Sequence, residues 1–183
     1  MKPTDILMEE HRNIERMLTV LETHAGRVQE GGRPDPAAFR TAIRFIREYA
    51  DACHHGKEED LLFTAMIERG FPRESGPIAV MLHEHDVGRM HVREMSAALD
   101  RFEAGEETAS ADLARQAFGY AQLLRSHIYK EDNMLFPMAD GQLAPSDQEL
   151  LLRRFEEFLE SGVACATRAE LLALLAELEA APH

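Results

Sequence analysis

His54 and Glu58 stand four residues apart, and so do His127 and Glu131. On a helix that spacing stacks an imidazole and a carboxylate on one face, one turn apart, which is a chelating half-site for a metal ion. The two stretches are His54-His55-Gly56-Lys57-Glu58 and His127-Ile128-Tyr129-Lys130-Glu131. Each runs into a similar apolar tail, Leu61-Leu62-Phe63 with Met66 and Met134-Leu135-Phe136 with Met138. The offset between them is 127 − 54 = 73, and Glu10-His11 and Glu84-His85 repeat at 85 − 11 = 74. Two copies of one helical hairpin, carrying four histidines, point to a two-metal site inside a four-helix bundle.

The elements that must position these residues are helices. Breaker clusters at Gly31-Gly32-Arg33-Pro34, Gly70-Phe71-Pro72, Gly105 and Gly141 through Pro145 divide the chain. Between them apolar residues recur at spacings of three and four, with no sustained alternation. This predicts helices over 4–29, 35–69, 75–104 and 108–139, then shorter ones over 146–161 and 167–181. Capping-box patterns, Ser146-x-x-Glu149 and Thr167-x-x-Glu170, mark the starts of the last two. The expected fold is all-α: an up-down-up-down antiparallel bundle over 4–140 and a two-helix extension over 146–181, in one domain spanning 1–183. His11 lies about 18 residues before the end of its helix and His54 about 19 after the start of the next, so the hairpin brings them level. His85 and His127 are similarly symmetric about the turn at Gly105.

Helical bookkeeping then selects the inward-facing side chains. The stripe through His54 holds Ile43, Ile46, Ala50, Glu58, Leu61, Leu62 and Ala65. The stripe through His55 holds Arg44, Arg47, Glu48, Asp51 and Glu59 and reads as solvated, which favours His54/Glu58 over His55/Glu59 as the working pair. His127 shares a face with Tyr120, Leu123, Leu124, Glu131 and Leu135; His11 follows Leu7 and Met8, and His85 lies between Met81, Leu82 and Val92. His24 reads as packing and His183 as an exposed terminus. His83 and His91 are expected on a second stripe, with Val87 and Met90, against the last two helices. Tyr120 is one candidate proton or hydrogen-bond donor beside the site, whereas Tyr129 points away.

The donor set narrows the metal. Four imidazoles and two glutamates do not suit one tetrahedral structural zinc, and calcium or magnesium would want mostly oxygen. Mixed nitrogen and oxygen donors inside a bundle suit two first-row ions, iron first and manganese second. A site closed by helices is expected to admit little larger than a diatomic molecule or peroxide.

Composition bounds the remaining classes. The 183-residue chain has a net charge of −13, which argues against nucleic acid and anionic membranes as partners. It holds no apolar run long enough to span a bilayer, and Met1-Lys2-Pro3-Thr4-Asp5 lacks a signal-peptide pattern. Cys53 and Cys165 are the two cysteines, without paired spacing, so no disulfide and a cytoplasmic setting are expected.

The order histidine, HxxxE, histidine, HxxxE over about residues 4–140 resembles the hemerythrin-like (HHE cation-binding) family, with Leu135-Phe136-Pro137 closing the pattern. The resemblance implies a non-heme di-iron centre with terminal ligands His11, His54, His85 and His127 and bridging Glu58 and Glu131. His11 and His54 would serve one iron, and His85 and His127 the other. It implies small-molecule partners, O2, NO or H2O2, acted on in redox chemistry or bound without turnover for sensing or storage. Oxygen-carrying relatives place a further histidine one turn after that of the third helix, where this chain has Arg89. Its duplicated counterpart is Glu15, expected to pair with Arg89 beside the site or, alternatively, to be an extra ligand. The substitution places reversible oxygen carriage in doubt.

Overall fold

The computed structural model describes residues 1–161 and 168–180, and every regular element in them is helical. Helix α1 spans Pro3–Gln29. It starts with proline at its first position, and the Asp5 carboxylate accepts from the Lys2 amide at 2.6 Å. It ends at Gly31, whose φ of 91° turns the chain out, with the Gly32 amide bonded back to the Arg27 carbonyl at 2.8 Å. Helix α2 runs over 36–68, capped by Asp35, which accepts from the amides of Ala37 and Ala38. Helix α3 spans Gly76–Glu103, and α4 runs over 109–142, three residues past its predicted end. The extension comprises α5, Pro145–Ser161, and α6, Arg168–Ala180.

These are the six helices that periodicity predicts, but one start is built differently. Pro145 opens α5, and the Asp147 carboxylate accepts from the Ala144 amide at 2.9 Å. The expected Ser146/Glu149 box is thus replaced by an Ala144/Asp147 contact two residues earlier, because proline suits a first helical position where no donor is needed. The Thr167 box, Cys165 and His183 lie outside the described residues. Cys53 is disulfide-bonded, which corrects the expectation of unpaired cysteines.

Packing closes a ring of four: α3 against α4, α4 against α1, α1 against α2 and α2 against α3. Helix α6 lies on α1 and α2, and α5 on α1 and the middle of α2. The extension therefore covers the α1/α2 side. Among the described residues its main packing is not against the His83, Val87, Met90 and His91 stripe on α3, where the sequence reading had set it. Met90 is 44% exposed there, and His91 pairs with the Gln116 side-chain oxygen at 2.7 Å.

The core falls into two apolar clusters. One gathers Ile14, Leu18, Ile43, Val92, Leu124 and their neighbours with Leu171 and Leu175 of α6. The other gathers Leu7, Leu62, Phe63, Met81, Leu135 and Phe136 with Leu151 and Phe155 of α5. Along each bundle helix the change from one cluster to the other falls at a metal-site candidate: His11 between Leu7 and Ile14, His85 between Met81 and Val92. A buried polar layer crosses the bundle there. None of the described helices is long and apolar enough to cross a membrane.

Candidate metal centre

The middle of α2 is not wound as an α-helix. Ile46–His55 and Glu58–Leu62 are π-helical, as is Glu131–Leu135 within α4. Hydrogen bonds running i→i+5 turn the chain through a smaller angle per residue than the ~100° of an α-helix. Faces counted at the α-helical angle therefore drift, and two adjacent side chains can both swing inward. His54 and His55 do so, at 1% and 5% exposure.

The structure brings all six predicted side chains together in two groups whose donor atoms lie within 4.8 Å of one another. The first group is His11, His54, Glu58 and Glu131; the second is His55, Glu58, His85 and His127. His11 and His54 thus lie in one group, and His85 and His127 in the other. The Glu131 carboxylate is 3.2 Å from both His11 Nε2 and His127 Nε2. Glu58 is 3.4 Å from His54 Nε2 and 3.5 Å from His85 Nε2. Each glutamate thus touches a histidine of both groups.

His55 is a correction. His55 itself is buried although Arg47 on its stripe is exposed, and Asp51 and Glu59 of that stripe belong to a network around the site. His55 stacks on His85 with ring centres 3.9 Å apart, and its Nδ1 pairs with Asp51 at 3.3 Å. It brings a third imidazole to the second group. No duplication could have revealed it, since 55 + 73 = 128 is Ile128. If His55 supplies a donor, His55→Ala should lower metal occupancy of the second group by at least about tenfold in affinity, while His83→Ala, on the exposed face, leaves it unchanged. Metal analysis after competition with a chelator measures both; equal retention in the two variants would return His55 to a packing role.

The imidazoles are held from behind by carboxylates. Nδ1 of His11 donates to Asp132 (2.7 Å), of His54 to Glu10 (3.0 Å), of His85 to Glu59 (2.7 Å) and of His127 to Glu84 (2.9 Å). Such a bond fixes the tautomer and leaves Nε2 as the donor atom for a metal. Lys57 in turn binds Glu10, Lys130 binds Glu84, and Arg12 binds Asp132. These supports repeat at the ligand offset, with 130 − 57 = 73 and 132 − 59 = 73. The same spacing that exposed the ligands could have found them.

Arg89 sits where the sequence reading put it but has other partners. It contacts Glu59 at 2.7 Å and Asp51 at 2.8 Å. Glu15 pairs instead with Arg12, at 3.1 Å, and belongs to neither donor group. Tyr120 is buried and, with His55, His85 and Arg89, lines a cavity of about 230 Å³ between α2, α3 and α4. That opening corrects the expectation of a fully closed site.

Without a metal the charges in the layer conflict. Burial and the negative charge of Glu131 push the Glu58 carboxyl well above its ordinary range. Glu131 is held well below it, since His127 and His11 outweigh the cost of burial. Burial also opposes a charge on His127, but Glu131 and Glu84 overcome it and raise its pKa to about 9. Burial lowers His54 to about 4 against the pull of Glu10. Glu10 itself stays near 2, because His54 and Lys57 outweigh its burial. His11 Nε2, His54 Nε2 and both oxygens of Glu58 and of Glu131 are buried without a hydrogen-bond partner. Such atoms cost free energy unless something pairs with them, and their convergence fits a cation.

Comparison with known proteins agrees. The chain is 22% identical over 151 residues to uncharacterized proteins of Mycobacterium tuberculosis and Mycobacterium bovis, covering 82% of this chain and 58% of theirs. It is 27% identical over 135 residues to the iron-sulfur cluster repair protein YtfE of Musicola paradisiaca, covering 72% of this chain and 60% of that one. The chain thus spans about three-fifths of the length of these relatives. Residues 2–139 match the family model of the hemerythrin HHE cation binding domain, and with the metal-binding geometry of its bundle the chain belongs to that family.

Proposed function

We propose that the centre holds two iron ions and performs redox chemistry on a small oxidant: O2, NO or H2O2. In this reading His11 and His54 ligate one ion, His85 and His127 the other, and Glu58 and Glu131 bridge them. The observation that carries it is the set of buried Nε2 and carboxylate atoms that converge without hydrogen-bond partners. Two iron ions held by these residues would supply one-electron redox chemistry toward a small molecule bound beside them. The chain's own residues fix the imidazoles through carboxylates, exclude water with two apolar clusters, and offer the Tyr120 hydroxyl on the cavity side as a hydrogen-bond donor. Burial and the Asp51 charge raise the Tyr120 pKa, so the hydroxyl keeps its proton. Manganese is the alternative metal on the same donor set. The name of the Musicola relative, an iron-sulfur cluster repair protein, is consistent with iron chemistry. We place this activity in the cytoplasm, a compartment that tends to keep a bond such as that of Cys53 reduced.

A second reading is non-catalytic sensing or storage of O2, NO or iron. His55 favours it, because a third imidazole on one ion leaves fewer positions for exchange. One experiment separates the two. Reduced, iron-loaded protein is mixed with excess NO or H2O2 and a chemical reductant, and consumption is followed. Redox catalysis predicts many equivalents consumed per chain. Consumption stopping at about one equivalent, with reversible spectral changes, would establish the binding reading instead.

A further inference from the structure

The cavity beside the second group is too large for the molecules proposed above. About 230 Å³ is roughly eight times the share of volume one water takes in the liquid. Its walls combine apolar side chains of three helices, Ile46, Val92 and Leu124, with Tyr120 and His85 toward the metal site. The charges along it fall into two kinds. Arg89 is neutralised by Asp51 and Glu59, and Glu84 by Lys130 and His127. Arg47 and Arg93 also line the cavity, are exposed, and make no ion pair or side-chain hydrogen bond among the described residues. In a chain of net charge −13 these are two cations left without a carboxylate at the rim of an apolar cavity.

Gly88 is the second sign that the space is kept open. Glycine inside a helix costs about 0.5–1 kcal/mol relative to alanine. Here packing does not demand it, because an added Cβ would meet Tyr120 only at 3.5 Å, an ordinary contact. A larger side chain would project into the cavity that Gly88 lines.

We infer that this cavity binds a small organic anion, its carboxylate held by Arg47 and Arg93 and its short apolar body against Ile46, Val92 and Leu124. The inference stands on cavity shape and rim charge, and does not depend on which metal the centre holds or whether it turns over.

Calorimetric titration of hexanoate into the metal-loaded protein tests it, with 1-hexanol and inorganic phosphate as controls. Hexanoate should bind at about one per chain, and each control at least about tenfold more weakly, a difference of about 1.4 kcal/mol. The double variant Arg47→Ala/Arg93→Ala should weaken hexanoate at least about tenfold with metal content unchanged. Gly88→Leu should abolish binding and Gly88→Ala should keep it. No hexanoate binding at millimolar concentration would overturn the proposal. Equal binding of hexanol would remove the anionic part, and equal binding of phosphate the organic part. Hexanoate affinity unchanged in the arginine variant would place the binding elsewhere, on the metals or the surface. If Gly88→Leu does not fold, the arginine variant alone decides.

Discussion

Glu58→Gln is expected to strip metal from both halves of the centre at once. Glu58 is the one residue common to both donor groups, with an oxygen 3.4 Å from His54 Nε2 and another 3.5 Å from His85 Nε2. A neutral amide removes an anionic donor from each. Loss of an outer partner of a ligand typically costs 10–100-fold in affinity, so loss of a shared ligand should exceed roughly 100-fold. Bound metal after desalting should fall from about two ions per chain to one or none. Stability without metal should move the other way from intuition. Burial and Glu131 keep the Glu58 carboxyl protonated in the metal-free protein. A glutamine therefore replaces a group that is already neutral, and the metal-free variant should melt within a few degrees of the metal-free parent. Two tightly held ions in the variant would sink the bridging role. A large stability loss without metal would show that Glu58 is ionised there.

Chelation of the parent protein is the second large effect. A buried layer of imidazoles and carboxylates divides the core, and its charges are unmatched until cations enter. Metal present at about 1,000 times its Kd would add about 4 kcal/mol, which for a domain of this size shifts Tm by roughly 10 °C. The sign of the pH dependence differs between the two forms. In the metal-free protein His127, raised to about 9, contributes stability fully present below its unfolded value of 6.5 and lost as pH rises through about 9. The metal-loaded protein gains over the same window, because ligands must shed protons to bind. The gap in Tm should therefore widen between pH 6.5 and 9. Metal uptake near neutral pH should release protons, His127 first among their sources, measurable in weak buffer. A Tm unaffected by chelation, with no proton release, would mean that the layer is satisfied by protein contacts alone.

The six helices, the antiparallel hairpins and His11, His54, Glu58, His85, His127 and Glu131 were legible in the sequence, because the apolar period and the 73–74-residue repeat depend only on local order. The repeat also carried the supporting pairs Lys57–Glu10 and Lys130–Glu84, although single-chain patterning gave the lysines and glutamates no stated role. The partners of Arg89 were not legible. Asp51 and Glu59 lie 38 and 30 residues away on another helix, and only the α2/α3 contact selects them over Glu15.

His55 marks the boundary between the two kinds of information. Counting at the α-helical angle set His55 on a stripe with Asp51 and Glu59 and so sent it to solvent. The π-helical winding of Ile46–His55 changes the angle at which successive side chains leave the axis, and so turns both His54 and His55 inward. That winding leaves no mark in the local pattern of residue types. The sequence by itself determined which residue types could bind metal and at what height in the bundle. The tertiary structure alone decided how far each helix turns, hence how many imidazoles reach the centre and on which side it opens.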